Sequence, residues 1–265
     1  MGTGVLLGGS GAIVTAHYVA IGARAVRATW PDGSTAEGRV AAIDYASGLA
    51  VVEVEGPLPR VLPMRPNPDA MPGEDCFVVA STGAGREVRS GMVTAVGPFE
   101  AFWEYRVERG ILASAEMPGL GGGPLVDVRG RVMGIASLSL AEIGRATFAV
   151  PTSLAVGLVD AVAVGAPPLP GPRRAWLGLT CYPIGENLVI AGVIPESPSA
   201  RAGLAPGDVV DAIDGRPVHD RASLFEAIWR HASGDRILLA VSRDRRSLEI
   251  DVTSGSIEAF FATET

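Results

Sequence analysis

The segment Gly165-Ala166-Pro167-Pro168-Leu169-Pro170-Gly171-Pro172 places four prolines in eight residues, and it restricts the fold more than any other stretch of the chain. Proline fixes φ and has no N–H, so this stretch is expected to be stiff, extended and unable to join a sheet. A chain interrupted in this way is read as two modules, residues 1–164 and 175–254, joined by a linker at 165–174. Residues 255–265 read as a tail with no obvious partner.

Each module reads as mostly β. The 34 glycines and 20 prolines are scattered without a period, which suits short strands and tight turns better than a helical bundle. Val5–Ala20, Ala25–Trp30, Glu37–Ile43 and Leu49–Val54 form a first strand group, with Pro31-Asp32-Gly33 as a hairpin turn. Asp75–Ala80, Gly91–Val96, Tyr105–Leu112, Pro124–Val128, Val132–Leu138 and Ala146–Val150 form a second, followed by a helix at Ser153–Val164. Two β-barrels side by side fit this count. Past the linker, Trp176–Leu179, Val189–Ile194, Asp208–Ile213, Arg236–Val241 and Ser247–Val252 read as strands, with a helix at Arg221–His231 capped by Asp220.

Composition removes several functions. All 22 basic residues are arginine, so neither a Ser-Lys dyad nor a Schiff-base lysine is available. The net charge of −7 and the lack of a basic run beyond Arg243-Asp244-Arg245-Arg246 argue against nucleic acid as a partner. Cys76 and Cys181 fall on opposite sides of the linker and are expected to be buried free thiols. No C-x-x-C or H-x-x-x-H spacing suggests a metal, and no cofactor is expected. The apolar stretch Leu154–Pro167 contains Asp160 and is too short to span a bilayer; no signal peptide precedes the strand-like Gly2–Leu7.

Six ordered blocks of the first module carry a resemblance. They are Ile13-Val14-Thr15, Leu49-Ala50-Val51-Val52, Ser90-Gly91-Met92-Val93-Thr94-Ala95, Gly122-Gly123-Pro124-Leu125-Val126, Gly130-Arg131-Val132-Met133-Gly134-Ile135 and Phe148-Ala149-Val150-Pro151. Together they resemble the HtrA (Deg) branch of the trypsin-like serine proteases. The run Met117–Leu125 is similar to that family's G-N-S-G-G-P-L nucleophile loop, with Gly121 in the serine position. The resemblance implies a chymotrypsin/trypsin-like double β-barrel. Because the chain opens at Gly2-Thr3-Gly4-Val5, the first barrel is expected to lack its opening segment.

On this frame the catalytic positions lack their groups. The family's V-T-x-x-H-V lands on Val14–Val19, which puts Tyr18 in the histidine slot and His17 one residue early. In a helical turn one residue is about 100° of rotation, so the His17 imidazole is expected to point away from the cleft. The aspartate position falls on Gly48, and Asp44 is expected to accept only turn hydrogen bonds. Glycine at 121 has no atom with which to attack a carbonyl carbon. Ser90, Ser114, Ser137 and Ser139 are nearby in sequence but lack an adjacent histidine, and Cys76 reads as core. The loop Gly119-Leu120-Gly121 resembles an oxyanion hole that three successive glycines would loosen. His17, Tyr18 and Asp44 are the only groups there for a metal or small molecule, a weak set.

In the second module, Trp176-Leu177-Gly178-Leu179, Gly192–Leu204 and Pro206–Gly215 resemble the carboxylate-binding loop and the V-x-x-x-S-P-A-x-x-A-G-L and G-D-x-I-x-x-I-D-G runs of PDZ domains in this family. The resemblance implies a groove that adds a peptide as one more strand, with Trp176, Leu177, Gly178 and Leu179 at its carboxylate. Leu224 and Ile228 are expected to border the groove from the helix, the alternative being core residues under the sheet, with little part for His231; Arg173 and Arg174 either add charge or are simply solvated. The whole implies a trypsin-like protein without peptidase activity that binds peptides or protein C-termini as scaffold, regulator or substrate trap, alone or with an active homologue. Its rival is an active HtrA-type serine endopeptidase of protein quality control. The resemblance points to the periplasm or cell envelope; the lack of a leader leaves the cytoplasm open.

Overall fold

The computed structural model describes residues 1–65, 70–81, 85–140, 146–166 and 174–262. Most of the proline-rich linker, residues 167–173, lies outside them, Arg173 included. The chain forms two compact units. The first comprises Met1–Phe99 and Val107–Leu169, the second Glu100–Arg106 and Pro170–Thr265. The second unit thus takes seven residues from within the first stretch of sequence, which the reading in two consecutive modules did not anticipate.

In the first unit the Val5–Ala20 run divides into β1 (Val5–Leu6), β2 (Ala12–Ala16) and a helical turn, α1 (His17–Ala20). With β3 (Val26–Thr29), β4 (Thr35–Asp44) and β5 (Leu49–Val54) it makes a five-stranded sheet in the order β1-β2-β5-β4-β3. β2 and β5 lie at its centre and pair antiparallel with Val14 opposite Val51; every residue of β2 is buried. The turn between β3 and β4 is the expected one: Asp32 Oδ1 accepts from the Ser34 amide at 2.9 Å and Gly33 takes φ +86°, a backbone that glycine supplies without steric cost.

The second strand group closes. β6 (Asp75–Ser81), β7 (Arg86–Glu100), β8 (Arg106–Ala113), β9 (Pro124–Asp127), β10 (Val132–Leu140) and β11 (Ala146–Pro151) form a barrel in the order β10-β11-β8-β7-β6-β9. Of the two barrels expected, this one is closed; its partner is the five-stranded sheet. Alternation on β6 sends Cys76, Val78 and Ala80 inward, the first two into a core with Val93, Ile111, Leu125, Met133 and Ala149. α2 (Thr152–Ala163) follows β11 directly and buries Ala155 and Leu158.

In the second unit, β12 (Leu179–Ile184), β13 (Asn187–Val193), β14 (Val209–Ile213), β16 (Arg236–Arg243) and β17 (Arg246–Thr253) make the sheet β12-β13-β14-β16-β17, with β15 (Arg216–Pro217) on β14. α3 (Pro198–Ala202) has proline in its first turn, a Ser197 cap and Gly203 at φ +82° after it. α4 (Arg221–Ile228) begins with a capping box in which Asp220 accepts from the Ser223 amide at 2.8 Å. The expected strand at Trp176–Leu179 does not form over its first three residues. β12 starts at Leu179, because the Leu177, Gly178 and Leu179 amides are drawn to a side chain rather than a ladder.

The tail does have a partner. α5 (Ile257–Ala262) carries Phe260, whose ring lies 4.7 Å from the Trp176 ring, and Trp176 and Gly255 exchange two backbone hydrogen bonds of 2.9 Å.

Candidate functional site

In the first unit, β2 delivers its last residue to the start of α1, and the two residues there take opposite directions. The His17 amide and its Nδ1 both meet the Gly48 carbonyl, at 2.9 and 3.1 Å, and its ring stands edge-on to Tyr45. Gly48 is the sole hydrogen-bond partner of the His17 ring among the described residues. Burial lowers the His17 pKa from its ordinary value, against the opposing pull of the Gly48 carbonyl and the Asp44 charge. Asp44 is buried and accepts from the Ala46 and Ser47 amides at 3.2 and 3.0 Å, which is the turn role expected of it. Gly48 itself sits at φ +73°, a region where a side chain is strained.

Tyr18 points the other way, to Gly121. Its hydroxyl donates to the Ser137 carbonyl at 2.5 Å, and burial raises its pKa. A Cβ on Gly121 would lie 1.8 Å from Tyr18 Oη and 3.1 Å from the Ser137 carbonyl oxygen. The structure therefore brings together two of the positions singled out in sequence, Tyr18 and Gly121, and puts the Tyr18 hydroxyl where a side chain on the second would begin. Gly48 stays beside His17.

The glycine loop is tighter than expected. A Cβ on Gly122 would meet Thr15 Oγ1 and the Thr3 carbonyl at 2.1 Å, and one on Gly123 would meet the Val79 carbonyl at 1.9 Å. The loop is tied down by neighbours: Thr3 donates its amide to the Gly121 carbonyl at 2.9 Å and its hydroxyl to the Leu120 carbonyl at 2.7 Å, and the Leu120 amide donates to the Ser81 carbonyl at 2.9 Å. Glycine is required here by close backbone approach, which corrects the expectation of looseness. The Gly119 and Gly121 amides have no hydrogen-bond partner among the described residues.

The other nucleophile candidates are scattered. Ser137 is buried, with 2% of its surface exposed, while Ser90 and Ser139 are exposed. The Ser114 hydroxyl accepts from the Met92 amide at 3.0 Å. Cys76 and Cys181 are buried free thiols, raised by burial to about 11 and about 12, so neither is a thiolate at neutral pH. Among the described residues no group of three or more His, Cys, Asp or Glu is placed to hold a metal, and His17 and Tyr18 diverge.

The second unit holds a site that local sequence does not announce. The amides of Leu177, Gly178 and Leu179 converge on the Glu104 carboxylate, at 2.8 Å to Oε1 and 2.7 and 3.3 Å to Oε2. Gly178 adopts φ +79°, and a Cβ there would come within 2.4 Å of Ser197 Cβ, so the loop shape depends on glycine. Beside it the Cys181 amide donates to the Phe102 carbonyl at 2.8 Å, Trp103 bridges antiparallel to Thr180, and the Phe102 ring stacks on Tyr182 at 5.4 Å. Burial is the largest influence on Glu104 and outweighs the three amides, raising its pKa to about 7.

Two expectations for this unit change, those for Trp176 and for the helix residues Leu224 and Ile228. Trp176 spends its amide on Gly255 and its ring on Phe260, so it does not face the carboxylate. Leu224 and Ile228 have no exposed surface and belong to the core with Leu177, Leu179 and Leu188. Arg174 lies over the Trp229 ring at 4.8 Å, and His231 pairs with Asp214 at 2.7 Å, so neither serves the loop.

Residues 2–135 match the trypsin-like peptidase domain family, and residues 175–253 match the PDZ domain family. HhoA of Synechocystis sp., named a serine protease, is 28% identical over 97% of this chain and 71% of its own length. A DegP-like protein of Brucella suis, named a periplasmic serine endoprotease, is 26% identical over 95% of this chain and 52% of its own length; the chain thus spans about half of it. Among solved structures, the HtrA-type protease AlgW with a decapeptide superposes with a TM-score of 0.60 at 25% identity, covering 96% of this chain and 82% of that one. The serine endoprotease of Yersinia pestis shares the fold, with a TM-score of 0.59 at 23% identity over 97% of this chain and 89% of its own. No helix among the described residues is long and apolar enough to cross a membrane. The chain belongs to the trypsin-like peptidase family and carries a PDZ domain, with HtrA- and DegP-like serine proteases as its homologues.

Proposed function

We propose that this chain is an HtrA-type protein without peptidase chemistry, whose PDZ domain binds peptides or protein C-termini in the cell envelope as a scaffold, regulator or substrate trap. One observation carries the first half: a Cβ on Gly121 would sit 1.8 Å from Tyr18 Oη, so the position matched to the nucleophile has no nucleophilic atom and the Tyr18 hydroxyl stands where one would be. The His17 ring, turned to Gly48, supports the same reading, since a general base must reach the proton it removes. Loss of a nucleophile alone costs on the order of a millionfold in turnover, and the base and its orienter then have no further effect. Three amides converging on a carboxylate support the second half.

A second reading is an active serine endopeptidase, favoured by relatives that are named serine proteases. Incubation of the purified chain with unfolded casein, beside an HtrA-type protease as positive control, separates the two. Intact casein supports the proposal; cleavage that survives repurification and is blocked by a serine-directed inhibitor overturns it.

A further inference from the structure

We propose that Phe102-Trp103-Glu104 is a built-in ligand that closes the PDZ groove, so that an outside peptide binds only by displacing it. The inference rests on the peptide-binding reading of this domain and adds its regulation.

Each part of peptide capture by strand addition is already satisfied within the second unit. The loop amides that would hold a terminal carboxylate hold the side-chain carboxylate of Glu104 at 2.7–3.3 Å. β12 is the edge strand of its sheet, and its open side is taken by Phe102, whose carbonyl accepts from the Cys181 amide, and by Trp103 opposite Thr180. Phe102 on Tyr182 supplies the side-chain contact that a bound peptide would make. Beyond Glu104, Arg106 pairs with Glu226 of α4 at 3.0 Å and anchors the arm. Glu104 is only 8% exposed, so the loop amides are closed to solvent and to any second carboxylate.

An arm carried on the same chain competes at a high effective concentration. If the groove stands open about 1% of the time, an outside peptide binds about 100-fold more weakly than to the open form. Burial holds the docked Glu104 carboxyl near pKa 7, so the closed form takes up a proton that the free arm, titrating as an ordinary glutamate, gives up. The arm is therefore held more firmly in mild acid than above neutral pH. The titratable and charged groups close by are the Cys181 thiol, which is raised by the Glu104 charge, and Arg221, which acts on that thiol.

The test uses the full chain and a fluorescein-labelled peptide Glu-Ala-Phe-Trp-Glu with a free carboxyl terminus, a copy of residues 100–104. Its binding is followed by anisotropy for the natural chain, Glu104→Ala and Glu104→Gln, beside amide exchange at Leu177, Gly178, Leu179 and Cys181. The inference expects Glu104→Ala to bind at least about tenfold more tightly than the natural chain, and Glu104→Gln, neutral like the protonated docked side chain, to keep the arm in place and bind no more tightly than the natural chain. It also expects faster exchange at those four amides in Glu104→Ala, with unchanged protection in β16. If the alanine variant does not fold, Phe102→Ala, which removes the stack on Tyr182, is expected to give the same tighter binding and faster exchange. Equal affinity in Glu104→Ala and the natural chain, or unchanged exchange at the loop in the alanine variant, overturns the gate and leaves peptide binding standing. No binding by any chain, with the loop amides exposed, overturns the gate together with the peptide-binding reading.

Discussion

The contact between Tyr18 and Gly121 predicts a specific energetic coupling. Gly121→Ala places a methyl group 1.8 Å from Tyr18 Oη and 2.9 Å from its Cζ. Ordinary contact begins near ~3.4 Å, so the ring tip must retreat by roughly 1.5 Å. That movement breaks the 2.5 Å hydrogen bond to the Ser137 carbonyl, a loss of about 1 kcal/mol. Overpacking at the displaced ring adds roughly 1–2 kcal/mol, kept low because Tyr18 is 43% exposed and can swing outward. Gly121 is not among the positive-φ residues, so its backbone adds no strain of its own. The substitution should therefore destabilise the first unit by about 2 kcal/mol in the natural chain. In a Tyr18→Ala background the blocking ring is gone, the Ser137 carbonyl at 3.1 Å is the nearest remaining neighbour, and the cost should fall below about 0.5 kcal/mol. Urea denaturation of the two single variants, the double variant and the parent gives the coupling energy, expected near 2 kcal/mol. Additivity within about 0.5 kcal/mol would show that Tyr18 does not occupy the space over Gly121, and the occlusion argument would fail.

Three other perturbations follow from the same geometry. The Glu104 pKa is raised in the folded unit, so its contribution to stability is fully present below about pH 4.5 and is lost as pH rises through about 7. The second unit should weaken by on the order of 3 kcal/mol between pH 4.5 and 8, and pH-dependent denaturation of Glu104→Gln should remove that slope. Asp208 is almost fully buried and receives Arg243 at 2.6 and 2.7 Å and the Ala205 amide at 2.9 Å; Asp208→Ala should cost the second unit about 3 kcal/mol in urea denaturation. Ending the chain at Ser256 removes Phe260 and Phe261 from the Trp176 ring; a thermal melt should register a loss of about 1–2 kcal/mol, with a red-shifted Trp176 emission.

What could be read from sequence was whatever depends on near neighbours in the chain. The frame Val14-Thr15…Val19 identifies Tyr18 rather than His17 as the residue over Gly121, because one position on a helical turn redirects the side chain, and the two residues do diverge. Asp44 serves its turn and Asp220 its helix for the same local reasons. The tightness of Gly121–Gly123 could not be read, since the atoms that would collide with a Cβ belong to Thr3, Thr15, Tyr18 and Val79. The occupant of the carboxylate loop was equally hidden: Glu104 is 73 residues from Leu177, and Phe102-Trp103-Glu104 falls between the expected strands Gly91–Val96 and Tyr105–Leu112 with no motif of its own. Trp176 resembled a groove residue in sequence because it adjoins the Leu177-Gly178-Leu179 loop. Its packing is set by Phe260, which is far along the chain.

The central claim concerns chemistry at Gly121, and intact-mass spectrometry after exposure to a fluorophosphonate reads it directly. A nucleophile activated for acyl transfer adds the phosphonyl group at a single residue, whereas a chain with glycine at that position and an occluding tyrosine keeps its mass. The account predicts an unchanged mass for the natural chain while an HtrA-type protease treated alongside is labelled to completion. A single stoichiometric adduct on the natural chain, mapped to any serine or cysteine, would contradict it.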